Sequence, residues 1–504
     1  MTVVVGGGIT GLVAAYDLAR AGVPTTLVEE TDRLGGKIQT ARIDGFLIEA
    51  GPDSFIRYPP DAVDLASELG LENALIRPSE PRAVHVLANG RLVRLPEGMG
   101  LGLPSRLGPL LSTDMFSLRE KLRMGLDVVL PRGPLEGDIA LGTLLRRRLG
   151  DPLVDRLAGP LLGGVYRTPI DELSLLAVAP RLRDAERDHR SLLLATLASR
   201  KTAATGEGES PFVTLAGGVG QLVDALVAEL HRSDLVSVRM ESTVVSLERR
   251  EHGADVLLAG GETLRADAVV IAAPGPVSAR LLEHPAPAAA EHIRSIPHSS
   301  AAVVSLAYDA GQFGSEFASH GFLVADGEQL AIDACTVSSR KWPGRAPQGK
   351  VLLRVFLGAR RPSLLSATDA ALVDAAHHDL AGVLGISGDP LLADVMRWHD
   401  CMPQYTVGHL DRVAAALSPL DGTPFVLAGA AYRGAGLPSC IAQGRSAAAR
   451  AREVLEAGSV HGRGAGDRRS PAAAPGYGRS ATAISSVATS DEISNSKDRK
   501  ERLR

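Results

Sequence analysis

The feature that most constrains this chain is Gly6-x-Gly8-x-x-Gly11, set between the apolar run TVVV at 2–5 and a stretch of helical periodicity ending near Arg20. A second short strand is predicted at Thr25–Glu29, which completes a β-α-β unit in about thirty residues. Each glycine has its own task there. Gly6 permits a tight turn, Gly8 lets backbone approach a pyrophosphate, and Gly11 allows close packing of helix on strand. Gly7, Ile9 and Thr10 lie between them at the helix opening, where unpaired N–H groups and the positive end of the dipole suit phosphates. Glu29 ends the second strand, where a carboxylate can accept hydrogen bonds from a ribose. With 54 glycines in 504 residues the spacing alone would weigh little; the strand, helix and acidic residue around it make a dinucleotide site the reading.

A chain of this length with 45% hydrophobic residues is expected to form two or more packed domains rather than one core. A net charge of −4 and the lack of a basic stripe argue against a nucleic-acid partner. Cys335, Cys401 and Cys440 are far apart, so neither a disulfide framework nor a metal site is expected, and a reducing cytoplasm fits. The opening apolar run has no basic segment before it and is broken by glycines, which argues against a secretory signal. No run of about eighteen apolar residues is present, so no transmembrane segment is expected.

Strand patterns recur at 236–273, 301–357 and 425–429, and helical patterns at 112–189, 368–385 and 439–457. Ser117-Leu-Arg-Glu120 reads as a capping box ahead of Leu122, Leu126 and Val129, and amphipathic stretches follow at 141–150 and 153–162. These divide the chain into a dinucleotide-binding domain from 1–80, 211–285 and 405–458, a substrate domain from 81–111 and 286–404, and a helical insertion at 112–200. The stretch 201–210 reads as a surface linker. The tail, 459–504, has almost no large apolar residues and is expected to be disordered.

Two further glycine-rich segments bear on the cofactor. Asp32-Arg-Leu-Gly-Gly-Lys37 follows the ribose carboxylate, and Gly51-Pro52-Asp53-Ser54 comes soon after. Adjacent glycines let the chain pass close to a bulky group, and Lys37 can meet a phosphate. Residues 425–444, FVLAGAAYRGAGLPSCIAQG, read as strand, turn and helix start. Gly434 and Gly436 would let backbone lie against a flat ring, and a helix opening near Ser439 would aim its dipole at the ring's electron-rich edge.

The segments VVVGGGITGL, DRLGGKIQT, GFLIEAGPDSF, LLGGVYRTPIDELSL, IDACTVSSRKWP, RWHDCMPQYTVGH and GAAYRGAGLPSCIAQG together make the chain resemble the coproporphyrinogen III and protoporphyrinogen oxidases, amine-oxidase-like flavoproteins of haem synthesis. The resemblance reaches about Ala451 and is nearest the Gram-positive type, which acts on coproporphyrinogen III. It implies an α/β fold, with a Rossmann-like FAD-binding domain interleaved with an α+β substrate domain. It also implies non-covalent FAD. In that pattern Gly6 to Gly11 hold the pyrophosphate, Glu29 the ribose and Lys37 a phosphate, while Gly51 to Ser54 line the cofactor. Val244 meets the adenine through its backbone, Trp398 packs near the flavin, and Ala435, Gly436 and Leu437 touch its ring. His409 falls roughly where some amine oxidases carry a cysteine bonded to FAD.

For the substrate, Gly164 matches a position lining the porphyrinogen pocket. Arg82 matches one where some members place an arginine for a propionate, with Arg167 and Arg397 as alternatives. The implied reaction removes six hydrogens in three two-electron steps, with oxygen as acceptor and hydrogen peroxide as by-product. Its demand on the protein is mostly positioning, and no side chain is singled out as a general base. Protoporphyrinogen IX is the alternative substrate, and a non-catalytic FAD- or porphyrin-binding protein the alternative outside enzymes. An amine oxidase or carotenoid desaturase would call for an aromatic cage or a long apolar tunnel, and 4% aromatic residues give little material for a cage. The apolar faces within 112–200 are expected to bury against the substrate domain, with peripheral membrane contact as the other use for them.

Overall fold

The run Thr2–Val5 is buried on both sides because it is the central strand of a five-stranded parallel sheet. Val4 packs into one apolar layer with Leu12, Leu27 and Val270, while Val3 and Val5 enter the opposite layer with Val28, Val269 and Ile271. The period of two thus serves two cores at once. The computed structural model describes residues 1–96, 99–100, 103–104, 108, 112–133, 136–202, 210–314 and 317–463, of which Met1–Ser459 form one compact unit.

Across the sheet the strands run Val236–Arg239, Thr25–Val28, Thr2–Val5, Ala268–Ile271 and Phe425–Leu427, all parallel. By chain order this is 3-2-1-4-5. The direction of winding therefore reverses between Thr2–Val5 and Ala268–Ile271, and the crevice beyond their carboxyl ends is where such sheets take ligands. The helices Ile9–Arg20, Gly220–Arg232 and Leu437–Arg463 cover one face.

A second sheet of seven strands runs Leu392–Pro403, His298–Asp309, Lys350–Leu357, Ile332–Val337, Gly321–Val324, His85–Ala88 and Arg91–Arg94. It is antiparallel except where Gly321–Val324 meets His85–Ala88. The helix Asp369–Leu384 covers one face. Thr368 caps its start, Gly385 ends it at φ +65°, and Leu372, Ala376, Leu380 and Leu384 point inward at four-residue spacing. Against the opposite face lies the hairpin Thr40–Ile43/Phe46–Glu49, with Phe46 and Ile48 packed on Ala307 and Leu352. The Gly51–Ser54 loop leaves from the end of that hairpin.

The helical region departs from expectation in two places. Val154–Gly163, within the expected amphipathic helix, is wound wide with i→i+5 bonds around Pro160, which has no N–H to give. The capping box at Ser117 and Glu120 forms as read. The helix it starts, however, does not bury its apolar row: Leu118 is 74% exposed, Leu122 65% and Val129 64%. Among the described residues that face is left exposed, whereas Leu141, Leu144, Leu145 and Leu149 are fully buried. No described helix is long and apolar enough to cross a membrane. The last helix continues to Arg463, past the expected start of the tail, and 464–504 lie outside the described residues. Of the expected linker, 203–209 also lie outside them.

A buried ionic knot holds the helical region together. Arg148 and Glu186 are both inaccessible and 2.7 Å apart, with Arg147 also 2.7 Å from Glu186. Asp127, equally buried, accepts from Ser191 Oγ at 2.6 Å and the Leu193 N–H at 2.9 Å. Burial alone would raise the Glu186 carboxyl, but the Gly133 N–H and the two arginines hold it below the ordinary glutamate value. Removing one partner of such a knot strands the others. Glu186→Gln is expected to destabilise the fold by about 3–5 kcal/mol, read as a lower denaturant midpoint. An unshifted midpoint would show that the knot contributes nothing.

Candidate cofactor site

The glycine turn and the Arg-Leu-Gly-Gly turn meet backbone to backbone at the crevice. Gly8 and Gly35 form a parallel bridge, and the Gly35 N–H donates to Gly7 O at 2.8 Å. A Cβ on Gly36, which sits at φ +57°, would stand 3.0 Å from Gly8 Cα, and one on Gly6 would stand 2.9 Å from Ala272 O. Gly51 is similarly closed off by Lys37 O. The helix Ile9–Arg20 opens at Gly8 with no side chain capping it, so its first-turn N–H groups face the crevice unclaimed by a cap.

Glu29 braces this turn from the next strand. One oxygen accepts from the Gly7 N–H at 2.7 Å and the other from Thr31. Its carbonyl accepts from Ser242 N–H, which brings the buried strand start at Val244 beside it. Lys37 Nζ donates to Cys401 O, and Trp398 Nε1 donates to Ala50 O at 2.9 Å. The structure thus joins Gly6–Gly11, Glu29, Lys37, Gly51 and Trp398 around one crevice.

Asp53 anchors a group of residues to which the sequence reading gave no role. Lys341 Nζ lies 3.0 Å from its carboxylate, Trp342 Nε1 donates at 3.1 Å, and Arg354 is 4.0 Å away and also donates to Gly51 O. Burial would raise the Asp53 carboxyl, but Lys341 and Arg354 overcome it and hold it well below the usual carboxylate range. The Lys-Trp-Pro segment was noticeable in sequence, but nothing local tied it to Asp53.

The C-terminal segment closes the crevice. Its helix starts at Leu437, two residues before the expected opening, and Thr10 Oγ1 donates to Cys440 O at 3.2 Å, tying it to the first helix. The turn before it, with Gly434 at φ +106°, is held by two residues the sequence reading left without a role in binding. Tyr405 Oη donates to Ala430 O at 2.5 Å and accepts from the Gly434 N–H at 2.9 Å. The His409 ring stacks on Tyr405 at 4.0 Å and donates from Nε2 to Tyr432 O at 3.0 Å.

The substrate positions lie elsewhere. Gly164 is exposed at the end of the wide helix, with nothing within 4 Å of where a Cβ would stand. Arg82 pairs with Glu80 at 2.7 Å. Arg167 is buried against Asp333, and Arg397 pairs with Asp369 and donates to Leu365 O and Ala367 O. A cleft of about 410 Å³, lined by Arg280, Arg294, His298 and Asp400 among others, shares no residue with the glycine crevice.

Residues 9–452 match the family model described as flavin containing amine oxidoreductase. The chain belongs to this family. It is 44% identical to a coproporphyrinogen III oxidase of Propionibacterium freudenreichii, over 90% of each chain. It is 37% identical to that of Bacillus subtilis, over 88% of this chain and 96% of the other. A crystal structure from Exiguobacterium sp. 255-15, provisionally assigned as a protoporphyrinogen oxidase, superposes with a TM-score of 0.79 at 32% identity, over 90% of this chain and 98% of its own. As a flavin-containing amine oxidoreductase this chain takes FAD, and the uncapped helix end, the glycine-lined turns and the acidic brace at Glu29 fit that dinucleotide.

In this flavoprotein His409 is neutral, because burial pushes its pKa down to about 4 and the hydrogen bond to Tyr432 O only partly offsets that. Above pH about 6.5 folded and unfolded chains both hold it neutral; below that the unfolded chain takes up the proton first. The folded state therefore loses up to roughly 3 kcal/mol as pH falls toward 4. Denaturant midpoints measured from pH 7 to 4 are expected to fall less steeply in His409→Gln than in the wild type. Equal slopes would assign the acid sensitivity to other groups.

Proposed function

We propose that this flavoprotein oxidises coproporphyrinogen III to coproporphyrin III in haem biosynthesis, with molecular oxygen as acceptor and hydrogen peroxide as by-product. The observation that carries the reading is 44% identity over 90% of the chain to a protein of that activity. Six hydrogens leave the macrocycle, so three O2 become three H2O2 per turnover. Bound FAD supplies two-electron oxidising power, used once for each pair of hydrogens.

The chain's own residues bind, orient and exclude water. We assign Gly6, Gly7, Gly8, Ile9, Thr10 and Gly11 to the pyrophosphate, Glu29 to the ribose and Lys37 to a phosphate. Gly51, Pro52, Asp53 and Ser54 line the cofactor, with Val244 at the adenine and Trp398, Ala435, Gly436 and Leu437 at the ring. Attachment is non-covalent: His409 is enclosed between Tyr405 and Tyr432 O. Gly164 leaves open wall for the macrocycle, and Arg82 supplies a guanidinium for a propionate by exchanging Glu80 for it. No side chain is assigned as a base.

The FAD-binding half comprises 1–80, 211–285 and 405–458, which supply all five strands of the parallel sheet. The substrate half comprises 81–111 and 286–404, with the insertion at 112–200. Three free, buried cysteines accord with a reducing cytoplasm. The exposed row Leu118, Leu122, Leu126 and Val129 is where we place peripheral contact with a membrane surface.

Anaerobic mixing of the yellow protein with coproporphyrinogen III, and separately with protoporphyrinogen IX, tests the reading through flavin absorbance. Fast bleaching by the first alone is expected. Bleaching by protoporphyrinogen IX alone would move the activity to that substrate, and bleaching by neither would leave a non-catalytic binding protein. The cradle has its own test. Gly8→Val fits the backbone but sends branched carbons into the phosphate path, so the variant is expected to fold and purify colourless. A yellow variant with unchanged FAD affinity would remove Gly8 from the site.

A further inference from the structure

Residues 429–434 form a turn that closes one bond of its own, Tyr432 N–H to Gly429 O at 3.2 Å, and gives further backbone groups to two side chains from the 405–409 segment. The Tyr405 hydroxyl acts in both directions, donating to Ala430 O and accepting from the Gly434 N–H. His409 donates to Tyr432 O. Alternate residues of the turn are thus pinned to a plate of two rings stacked 4.0 Å apart and 18° from parallel. Beyond the turn, Gln443 accepts from the Arg433 N–H at 3.3 Å and donates to Gly434 O at 3.2 Å.

The plate is fixed from its other side as well. The Ser174 N–H donates to Tyr405 O at 2.7 Å, the Val407 N–H to Glu172 O at 3.0 Å, and the Gly408 N–H to Asp138 Oδ2 at 2.8 Å. All three partners belong to the helical insertion. A turn left to itself would lose conformational entropy on meeting a ligand; one already clamped at three points has lost it on folding. Side chains kept only for packing need neither the hydroxyl nor the imidazole N–H.

We propose that Tyr405 and His409 are positioning residues for the flavin ring: they preset the 430–436 turn and register it to the helical insertion before the cofactor binds. The proposal rests on the assignment of Ala435–Leu437 to the ring. It extends that assignment to two residues that act on the ring through the turn.

Tyr405→Phe removes one oxygen and keeps the stack, and His409→Phe keeps a stacked ring and removes the donor. FAD dissociation constants, the visible circular dichroism of the bound flavin and apoprotein melting are measured for both. Each variant is expected to weaken FAD binding about tenfold and to alter the flavin dichroism, with apoprotein melting close to wild type. His409→Gln, which can still donate to Tyr432 O, is expected to restore both signals. Wild-type affinity and dichroism in both phenylalanine variants would overturn the proposal, whether or not melting falls, and would leave the pair as core packing. A wild-type chain that binds no FAD would instead overturn it together with the assignment beneath it.

Discussion

The molecule depends on the close approach of two backbone turns that carry no side chains. Gly8 lies against Gly35 and Gly36, and Gly6 lies against Ala272, at the point where the parallel sheet reverses its winding. Any Cβ at Gly36 would push Gly8 away, and with it the open end of the first helix. A dinucleotide phosphate needs such a place, with donors pointing outward and no side chain in front of them. The strand burial, the brace at Glu29 and the C-terminal helix tied to Thr10 all hold that approach in position.

Two buried ion clusters lie where sheets or helices must be joined. Asp53, Lys341 and Arg354 bind the loop after the Phe46–Glu49 strand to the seven-stranded sheet, so the cofactor crevice and the second sheet share a buried ion cluster. Arg148 and Glu186 do the equivalent among the insertion helices. Such clusters contribute less to net stability than to geometry: apolar replacements of the same shape could match them in energy, but not in fixing one arrangement of partners.

What was legible in the sequence is what local backbone rules decide. The first strand, its glycine turn, the helix to Arg20 and the capping box at Ser117 appear where their residues put them. The wide helix around Pro160 was missed because its pattern of apolar residues still resembles an ordinary helix. The exposed row at Leu118 and Leu122 was misjudged because amphipathic spacing says which residues share a face, not whether another element covers it. The bonds from Lys341 to Asp53 and from Trp398 to Ala50 span 288 and 348 residues, and no spacing rule reaches that far. Tyr405 and His409 were visible within a distinctive motif, yet their task is defined by backbone atoms of a turn some twenty-five residues on.

The order of strands in the parallel sheet has a consequence for how the protein is made. Thr2–Val5 leaves the ribosome before the other four strands of its sheet, but that sheet is not complete until Phe425–Leu427 follows, and its helical face not until Leu437–Arg463 does. Between them the entire seven-stranded sheet is synthesised. The nascent N-terminal unit must therefore wait, with one strand edge and one apolar face open, through most of translation. The parallel sheet begins first and closes last, so the crevice at its winding reversal is complete only once Phe425–Leu427 and the helix after it have been made.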